Sequence, residues 1–450
     1  MTQSLRNNKP AQFFELIFLQ KGLFFNSNET LFMTDLEQST LVMLMSSAFF
    51  ITVTCLLVLR PIAIKIGLTD KPCTRKKHNG EIPLIGGLAI YLCMVYFILT
   101  DSNLATINMG FLTATTLIIA TGLMDDFKNL NIKLRFFTEI VAIVILIKWG
   151  GIEITSLGNL FGLGEMQLGN FSTPFTIFAI LGGINAFNMI DGIDGLAGGT
   201  SLIIYFVLSL LFITTHYTSF LLLSMVLAAA TTAFLLFNLP KLGRKKATIF
   251  LGDAGSMLLG FTICILIISA SQGDRKIIAP VTTLWLIASP LLDTFAIMLQ
   301  RINQGRSPFA PDREHLHHLL PIAGFSQSAT LVSILLFSLL LALAGLTLDL
   351  VFNAPEWLMF SLFITVFACY QYNLSHTWKM LKVARYLQKN TSNKRRVLNT
   401  RRIIKPSSLT MTNKQRVRER RSHGDRRYQA TDADIKEFNQ SRFQNAYSPN

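Results

Sequence analysis

Six side chains with oxygen donors lie in short, glycine-containing motifs at the ends of long apolar runs. The motifs GLMDDF, NMIDGIDGL and FLGDAGS contain Asp125, Asp126, Asn188, Asp191, Asp194 and Asp253. A charged side chain at bilayer depth costs about 2.5–3.5 kcal/mol, so such residues usually meet an ion, a proton or a polar substrate. A single aspartate before a glycine could serve only as a turn residue. Six together favour chemistry, and hard oxygen donors without thiolates favour Mg²⁺ or Mn²⁺ over zinc.

A second set of candidate residues is basic or hydrogen-bonding and lies between residues 301 and 318. It comprises three histidines and three arginines: His315, His317, His318, Arg301, Arg306 and Arg313. The HEXXH pattern of zinc proteases is absent, because Glu314 precedes all three histidines. Side chains of these types bind phosphate groups. Lys77, in the basic stretch 75–78, fits the same interpretation, although a generic cytoplasmic loop explains that stretch equally well.

Acidic residues for a metal and basic residues for phosphates together favour phosphoryl transfer from a soluble, nucleotide-activated donor to a lipid acceptor. Catalysis of that kind is mostly positioning and charge neutralisation. The sequence contains neither a Walker A motif nor the protein-kinase motifs, so ATP hydrolysis finds no support. The alternative is a cation- or proton-coupled transporter of a phosphorylated solute. A transporter would carry mid-span acids in repeated halves, whereas the sequence shows no repeat and places only Glu139 and Asp293 there.

The elements that must position these residues are membrane helices. Of 450 residues, 51% are hydrophobic and 15% charged, and the mean hydropathy is +0.44, as is typical of a polytopic membrane protein. Apolar runs near the 20-residue length that a bilayer requires predict an all-α fold of about eleven transmembrane helices with a catalytic cleft at the cytoplasmic face. The runs are 41–59, 83–100, 107–124, 136–149, 174–190, 196–214, 218–239, 249–270, 277–300, 328–348 and 357–372.

The distribution of Lys and Arg predicts the orientation of these helices. The loops of one side carry most of the basic residues outside the C-terminal tail, and every motif named above lies on that side. The positive-inside rule therefore places these loops and the C-terminus in the cytoplasm and the N-terminus outside. The loops are 60–82, 125–135, 191–195, 240–248 and 301–327.

Three segments are expected along the chain: an N-terminal leader outside the membrane (1–40), an integral membrane domain (41–372) and a basic cytoplasmic tail (373–450). The tail holds 19 Lys and Arg against 5 Asp and Glu, and thus 14 of the chain's 15 net positive charges. Because it is polar and aperiodic after Leu387, the tail is expected to be largely disordered. Contact with anionic lipid explains its charge more simply than nucleic acid does. No nucleic-acid partner is expected.

Taken together, NAFNMIDGIDGLAGG, GLMDDF, FLGDAGS and SPFAPDREHLHH resemble the polyprenyl-phosphate N-acetylhexosamine-1-phosphate transferases, glycosyltransferase family 4. The bacterial undecaprenyl-phosphate GlcNAc-1-phosphate transferases are the most similar members. The resemblance implies an α-helical enzyme of the bacterial cytoplasmic (inner) membrane that uses Mg²⁺ or Mn²⁺. Its substrates would be a UDP-N-acetylhexosamine and undecaprenyl phosphate, and UMP would be released. A homodimer is left open.

The resemblance also assigns roles to single residues. It implies that Asn188 and Asp253 hold the metal on the diphosphate, and that Asp125 and Asp126 handle the lipid phosphate or act as base. The histidine motif would lie near the sugar and the phosphates as further catalytic residues: His315, His317 and His318. The substrate-binding residues would be Asp191, Asp194, Arg301, Arg313 and Lys77.

Two departures from part of the family bear on the donor. Relatives that use the muramyl-peptide donor carry DDxxK and three contiguous histidines, whereas this chain has DDFK, ending at Lys128, and the split motif HLHH. Both features favour a plain N-acetylhexosamine donor. Attack of the lipid phosphate on the β-phosphorus is expected to be a direct in-line displacement, with a covalent phosphosugar-enzyme as the rival pathway. The sequence leaves open which polymer follows.

Overall fold

The computed structural model describes residues 38–70, 81–104, 107, 109–213, 217–240, 247–273, 276–307 and 315–376. Two expected segments, the leader up to residue 37 and the tail from residue 377, lie outside the described residues. Lys77 and Arg313 also lie outside them. All described residues belong to one unit of the chain, Met1–Val383.

The described part of the chain is built from thirteen α-helices and one two-stranded sheet, which confirms the all-α prediction. The elements are α1 Gln38–Ile66, β1 Thr69–Asp70, β2 Ile82–Pro83, α2 Gly86–Thr100, α3 Met109–Lys128, α4 Ile132–Gly150, α5 Ser172–Ile190, α6 Leu196–Phe212, α7 Thr218–Asn238, α8 Gly252–Ser271, α9 Pro280–Leu286, α10 Ala288–Asn303, α11 Leu316–Ile322, α12 Gln327–Leu346 and α13 Glu356–His376. A 3₁₀ turn, Gly169–Phe171, precedes α5, and a π-helical turn, Thr347–Val351, extends α12.

Each of the eleven apolar runs contains a helix, but the count of eleven spans is not confirmed. Among the described residues, six helices are long and apolar enough to cross a membrane: Ser39–Ile66, Gly169–Ile190, Thr218–Asn238, Gly252–Ser271, Gln327–Val351 and Glu356–His376. Helices α9 and α10 are bent by 81° and make a seventh if they form one span. The 15 residues of α2 rise only about 22 Å, which is less than the hydrocarbon core of a bilayer. Charged residues lower the hydropathy of α3 and α4.

Helix α8 lies at the centre of the helix assembly. In its most apolar 18-residue window, 94% of the residues are buried, and α8 packs against α2, α3, α5 and α6. Small residues permit this close approach. A Cβ added to Gly87 of α2 would collide with the backbone of Gly255, and one added to Gly122 of α3 would collide with Ala254. The small residues of FLGDAGS therefore allow α2 and α3 to pack closely against the start of α8.

Backbone pairing fixes the segment that leads into α8. The amide of Phe250 donates to the carbonyl of Pro83 (2.9 Å), and the amides of Gly86 and Gly87 donate to the carbonyls of Phe250 and Leu251 (3.0 Å each). Strands β1 and β2 pair antiparallel beside this segment. The start of α8, and Asp253 with it, is thereby attached to the start of α2.

Candidate active site

Asp253 and Asn188 lie in direct contact where α8 begins and α5 ends. The Asn188 side-chain amide donates to Oδ1 of Asp253 (2.8 Å) and to Oγ of Ser256 (2.9 Å). Both members of the pair are half-buried, whereas Ser256 is buried. The two residues assigned to the metal by resemblance thus meet across a helix interface, 65 positions apart in the sequence.

Asp126 binds the N-terminus of α8. Its Oδ1 accepts from the backbone amide of Asp253 (2.8 Å), and its Oδ2 accepts from the amide of Ala254 (3.2 Å). A carboxylate at this position satisfies free amides of the first helical turn and interacts favourably with the helix dipole. Gly252 has a φ of +79°, and a Cβ there would lie 2.6 Å from Oδ2 of Asp126, so only glycine fits without strain. The motif GDAGS is therefore shaped to receive Asp126.

Asp125 faces a different set of partners, although it is adjacent in sequence. Its Oδ1 accepts from the backbone amide of Leu130 (2.7 Å), which closes the turn between α3 and α4. Its Oδ2 pairs with Nη1 of Arg135 (3.3 Å), whose Nη2 donates to Oδ1 of Asn185 on α5 (3.1 Å) and whose Nε pairs with the fully buried Glu139 (3.4 Å). Arg135 therefore joins α3, α4 and α5 through one guanidinium group.

The turn between α5 and α6, residues 191–195, carries two of the predicted aspartates. Asp191 is exposed and Asp194 is half-buried. The turn is held by Asn238, the last residue of α7, whose Oδ1 accepts from the amide of Gly195 (2.6 Å) and whose Nδ2 donates to the carbonyl of Ile249 (3.0 Å). Asn238 thereby ties the turn to the chain that leads into Asp253.

The histidine motif packs against this same turn. His315 and His317 are buried, and their rings are nearly parallel with centroids 5.4 Å apart. The ring centroid of His318 lies 4.2 Å from that of His317. A Cβ on Gly192 would collide with Nε2 of His317, so the glycine allows the ring to contact the turn. The motifs therefore form one continuous set of contacts from Asp126 through Asp253, Asn188 and the turn to the histidines.

A buried carboxylate, Asp293 of α10, holds the first histidine. Nδ1 of His315 lies 2.8 Å from Oδ2 of Asp293, and Oδ1 of Asp293 accepts from the amide of Leu316 (3.0 Å) and from the hydroxyl of Tyr370 on α13 (2.7 Å). Arg301, at the end of the same helix, is buried with 3% of its surface exposed. Helix α10 thus connects the histidine motif with a buried arginine.

Burial shifts the pKa of two site residues outside the membrane-spanning segments. Desolvation, reinforced by the neighbouring carboxylate of Asp253, raises the pKa of Asp126 to about 8, despite the two amides that bind the ionised form. Desolvation, with a smaller contribution from His318, lowers the pKa of His317 to about 3. His317 is therefore a neutral imidazole at neutral pH and acts as a hydrogen-bonding group rather than a cation.

The donor set at Asp253 fits a hard divalent cation. Among the described residues, no group of three His, Cys, Asp or Glu side chains could hold a metal ion, so a site enclosed entirely by protein ligands is not formed there. Mg²⁺ usually keeps several waters and takes one or two protein ligands together with substrate phosphates. Asp253 offers a carboxylate oxygen. Rotation of the Asn188 side-chain amide by about 180° would point Oδ1, instead of Nδ2, toward a metal bound by Asp253. The pair is therefore sufficient for that kind of site.

Most of the residues singled out in the sequence come together, but several of their partners were missed. Their functional roles stay a prediction. Arg135, Asn238 and Tyr370 lie outside the motifs, so no short signature indicates that they contact Asp125, Gly195 and Asp293, respectively. Asp293 was noticed only as an acid within an apolar run. A pair such as Tyr370 and Asp293, 77 positions apart, has no sequence signal in a single chain.

Comparison with known proteins agrees with the motifs. Residues 108–271 match the sequence model described as glycosyl transferase family 4. An undecaprenyl-phosphate alpha-N-acetylglucosaminyl 1-phosphate transferase of Yersinia pestis is 39% identical over 342 residues, which is 76% of this chain and 92% of that protein. Proteins of the same name are 38% identical in Escherichia coli K12 (76% and 92% covered) and 35% identical in Haemophilus influenzae (74% and 94% covered).

Proposed function

The chain belongs to glycosyl transferase family 4, and from that premise we propose that it transfers GlcNAc-1-phosphate from UDP-GlcNAc to undecaprenyl phosphate and releases UMP. The acceptor is the one named for the relatives. The observation that carries the proposal is a chain of contacts: Asp126 binds the amide of Asp253, Asp253 binds Asn188, and the histidine motif packs on the turn that follows Asn188 at the end of α5. The relatives are named as transferases, which gives the transporter alternative no support.

The reaction joins an oxygen of the lipid phosphate to the β-phosphorus of the UDP-sugar. The bond between the β-phosphorus and the bridging oxygen breaks, and UMP carries that oxygen away. A phosphate monoester has a second pKa near ~6 and is largely ionised at neutral pH, so the acceptor needs no strong base. The anionic diphosphate repels the anionic acceptor, and the site must neutralise this charge for the two to approach each other.

The described residues supply five functions for this step. Asp253 and Asn188 would hold Mg²⁺ or Mn²⁺, which when bound neutralises diphosphate charge. Asp126, which borders Asp253, orients the acceptor. To the buried Arg301 we assign, from the family resemblance, the positive charge that meets the diphosphate. Neutral His317 donates or accepts a hydrogen bond beside the turn that carries Asp191 and Asp194. We assign those two aspartates to the nucleotide.

Asp125 has a supporting role in this proposal. Both of its oxygens are engaged, one by the Leu130 amide and one by Arg135, and only 9% of its side chain is exposed. Asp126 also accepts two hydrogen bonds, from the amides of Asp253 and Ala254, but its side chain is half-buried rather than buried. Because Asp126 is more accessible and borders Asp253, it is the member of the acidic pair that we place at the acceptor.

We further propose that the enzyme lies in the bacterial cytoplasmic membrane with its C-terminus and the site on the cytoplasmic side. The distribution of Lys and Arg over the loops supports this orientation. A reporter enzyme that folds only in the cytoplasm, fused after residue 376, should be active. An inactive fusion beside an active periplasmic reporter at the same position would reverse the orientation.

The test of the proposed reaction uses purified protein, undecaprenyl phosphate, Mg²⁺ and a panel of UDP-sugars. We expect UMP release with UDP-GlcNAc and little with UDP-glucose, which lacks the N-acetyl group. UMP release that needs UDP-GalNAc instead would change the donor while retaining the reaction. Failure of every donor, with acceptor and metal verified, would overturn the proposal.

A further inference from the structure

Tyr370 lies on α13, the last described helix, well outside the residues that match the family model. Its hydroxyl donates to Oδ1 of Asp293 at 2.7 Å, and Oδ2 of the same carboxylate lies 2.8 Å from Nδ1 of His315. One carboxylate thus links the last helix to the first histidine of the motif. The link rests on side chains from three separate elements.

The hydrogen-bond donors that surround Asp293 determine which ring nitrogen of His315 carries the proton. The Leu316 amide and the Tyr370 hydroxyl both donate to Oδ1, and an ionised carboxylate only accepts. Nδ1 of His315 therefore carries the proton in the bond to Oδ2. In the neutral imidazole this leaves Nε2 without a proton and sets the plane of the ring.

The arrangement is closed to substrate. Asp293 is 4% exposed, and the small cavity beside it measures about 10 Å³ and is lined by Ser289, Asp293, His317 and four apolar side chains. That volume accommodates about one water molecule and no part of a nucleotide sugar. Both oxygens of Asp293 are also taken by protein donors, so Asp293 and Tyr370 act through His315 rather than by touching a substrate.

Packing holds Tyr370 in place. It packs against the cluster that contains Ala296 and Ile297 of α10 and Leu319 of α11, and its ring stacks on Phe337 of α12 with centroids 6.2 Å apart. Because the ring is held on several sides, loss of the hydroxyl alone should leave the packing unchanged. The hydroxyl can therefore be tested separately from the helix.

We propose that Tyr370 and Asp293 are positioning residues that fix the tautomer and orientation of His315, and through its stack with His317 fix the contact with the turn at Gly192. This inference rests on the proposed function, because its effect is measured as transferase activity. It assigns α13 a part in catalysis. His315 and His317 are the groups placed at the site, and Tyr370 and Asp293 support them.

The test compares Tyr370→Phe with Tyr372→Phe, which removes a hydroxyl from an exposed ring on the same helix. We expect Tyr370→Phe to lower kcat about tenfold, the size seen when an outer hydrogen-bond partner of a site ligand is lost. The KM for UDP-GlcNAc and the Tm in detergent should stay near wild type. An unchanged kcat, or an equal loss in Tyr372→Phe, would overturn the inference.

A double-mutant cycle separates positioning from a purely structural role. If Tyr370 acts through Asp293 and His315, Tyr370→Phe should cause no further loss in an Asp293→Asn or a His315→Asn background. Losses that multiply would contradict the proposal. An inactive wild type would defeat the proposed function itself, whereas an active wild type with an unaffected Tyr370→Phe would defeat only this inference.

Discussion

Asp125 and Asp126 are neighbours in the sequence, yet their carboxylates bind different parts of the molecule. Successive residues of a helix point about 100° apart, so one carboxylate reaches the α4 turn and Arg135 while the other reaches the amides of α8. The sequence shows an acidic pair and predicts a shared role. The structure separates the pair into one residue that holds helices together and one that borders the metal-ligand candidates.

Asp253 carries the metal assignment, and its replacement tests that assignment. Asp253→Asn keeps the shape of the side chain and removes its charge, so we expect kcat to fall about 100-fold or more and the Mg²⁺ requirement to rise. The measurement is UMP release against Mg²⁺ concentration. Asp101→Asn, at the other end of α2, is the matched control and should behave as wild type. Full activity in Asp253→Asn would refute the assignment.

The lowered pKa of His317 predicts how the stability of the folded protein depends on pH. Its pKa in the folded protein is about 3, below the ordinary value of 6.5, so the unfolded chain binds the extra proton first as the pH falls. Above pH 6.5 the imidazole is mostly neutral in both the folded and the unfolded chain, so it does not make the free energy of unfolding depend on pH. Between pH 6.5 and pH 5 the folded state should lose up to about 2 kcal/mol relative to a variant that cannot titrate.

Thermal unfolding in detergent checks this prediction. The Tm of wild type should fall faster than that of His317→Gln when the pH is lowered from 7 to 5. Parallel curves for the two proteins would show that His317 titrates normally in the fold.

At the level of the helices, the site depends on how closely α2, α3 and α5 approach α8. Small residues allow the helices to approach closely. Arg135 and Asn238 form hydrogen bonds between elements that are distant in sequence. Each of the eleven apolar runs contains a helix, because hydrophobic length is a local property of the chain, whereas α11 lies in none of them. The number of spans was not determined in this way, since the bend between α9 and α10 and the shortness of α2 depend on packing.

Arg135 supports an element-level prediction. Arg135→Gln would leave Asp125 and the fully buried Glu139 without their cationic partner, and breaking a buried pair typically costs about 3 kcal/mol or more. We expect a lower Tm together with reduced transferase activity. Lys133→Gln, an exposed change on the same helix, should have neither effect. A stable, active Arg135→Gln protein would show that α3, α4 and α5 are held by packing alone.

Gly87 tests the close contact between α2 and α8. A Cβ at this position would meet the backbone of Gly255, which cannot move aside as a flexible side chain can. Gly87→Ala should therefore lower the Tm, although alanine favours a helix by about 1 kcal/mol over glycine. Gly182→Ala in α5, where nothing lies within 4 Å of the new Cβ, should keep or raise the Tm. A higher Tm in Gly87→Ala would contradict the packing described here.

At the scale of the whole molecule, the motifs indicate the function and the described fold accounts for their proximity. Signatures such as GDAGS and EHLHH are short and continuous in the sequence, so they can be recognised in one chain. The contacts of Asp293 with Tyr370 and of Asn238 with Gly195 join residues 77 and 43 positions apart, respectively. Contacts of that kind arise only when the helices pack.

The basic tail makes a prediction about the whole chain. The contacts described for the site involve residues before position 377, so a protein lacking residues 390–450 should keep at least part of its transferase activity. Its affinity for vesicles containing anionic lipid should fall relative to the full chain, because about 1 kcal/mol per basic residue is lost near a charged surface. Activity assays and vesicle flotation measure the two effects. Complete loss of activity would place the tail in the catalytic machinery.

The central claim, transfer of a phosphosugar rather than a sugar, is tested most directly by the fate of the β-phosphorus. UDP-GlcNAc labelled with ³²P at the β-position is incubated with the purified protein, undecaprenyl phosphate and Mg²⁺, and lipid and water phases are separated. For the wild type we predict that the label enters the lipid phase and that unlabelled UMP is released. For Asp253→Asn we predict neither labelled lipid nor released UMP. Label that stays in the water phase as UDP, while the sugar moves to the lipid, would contradict the account.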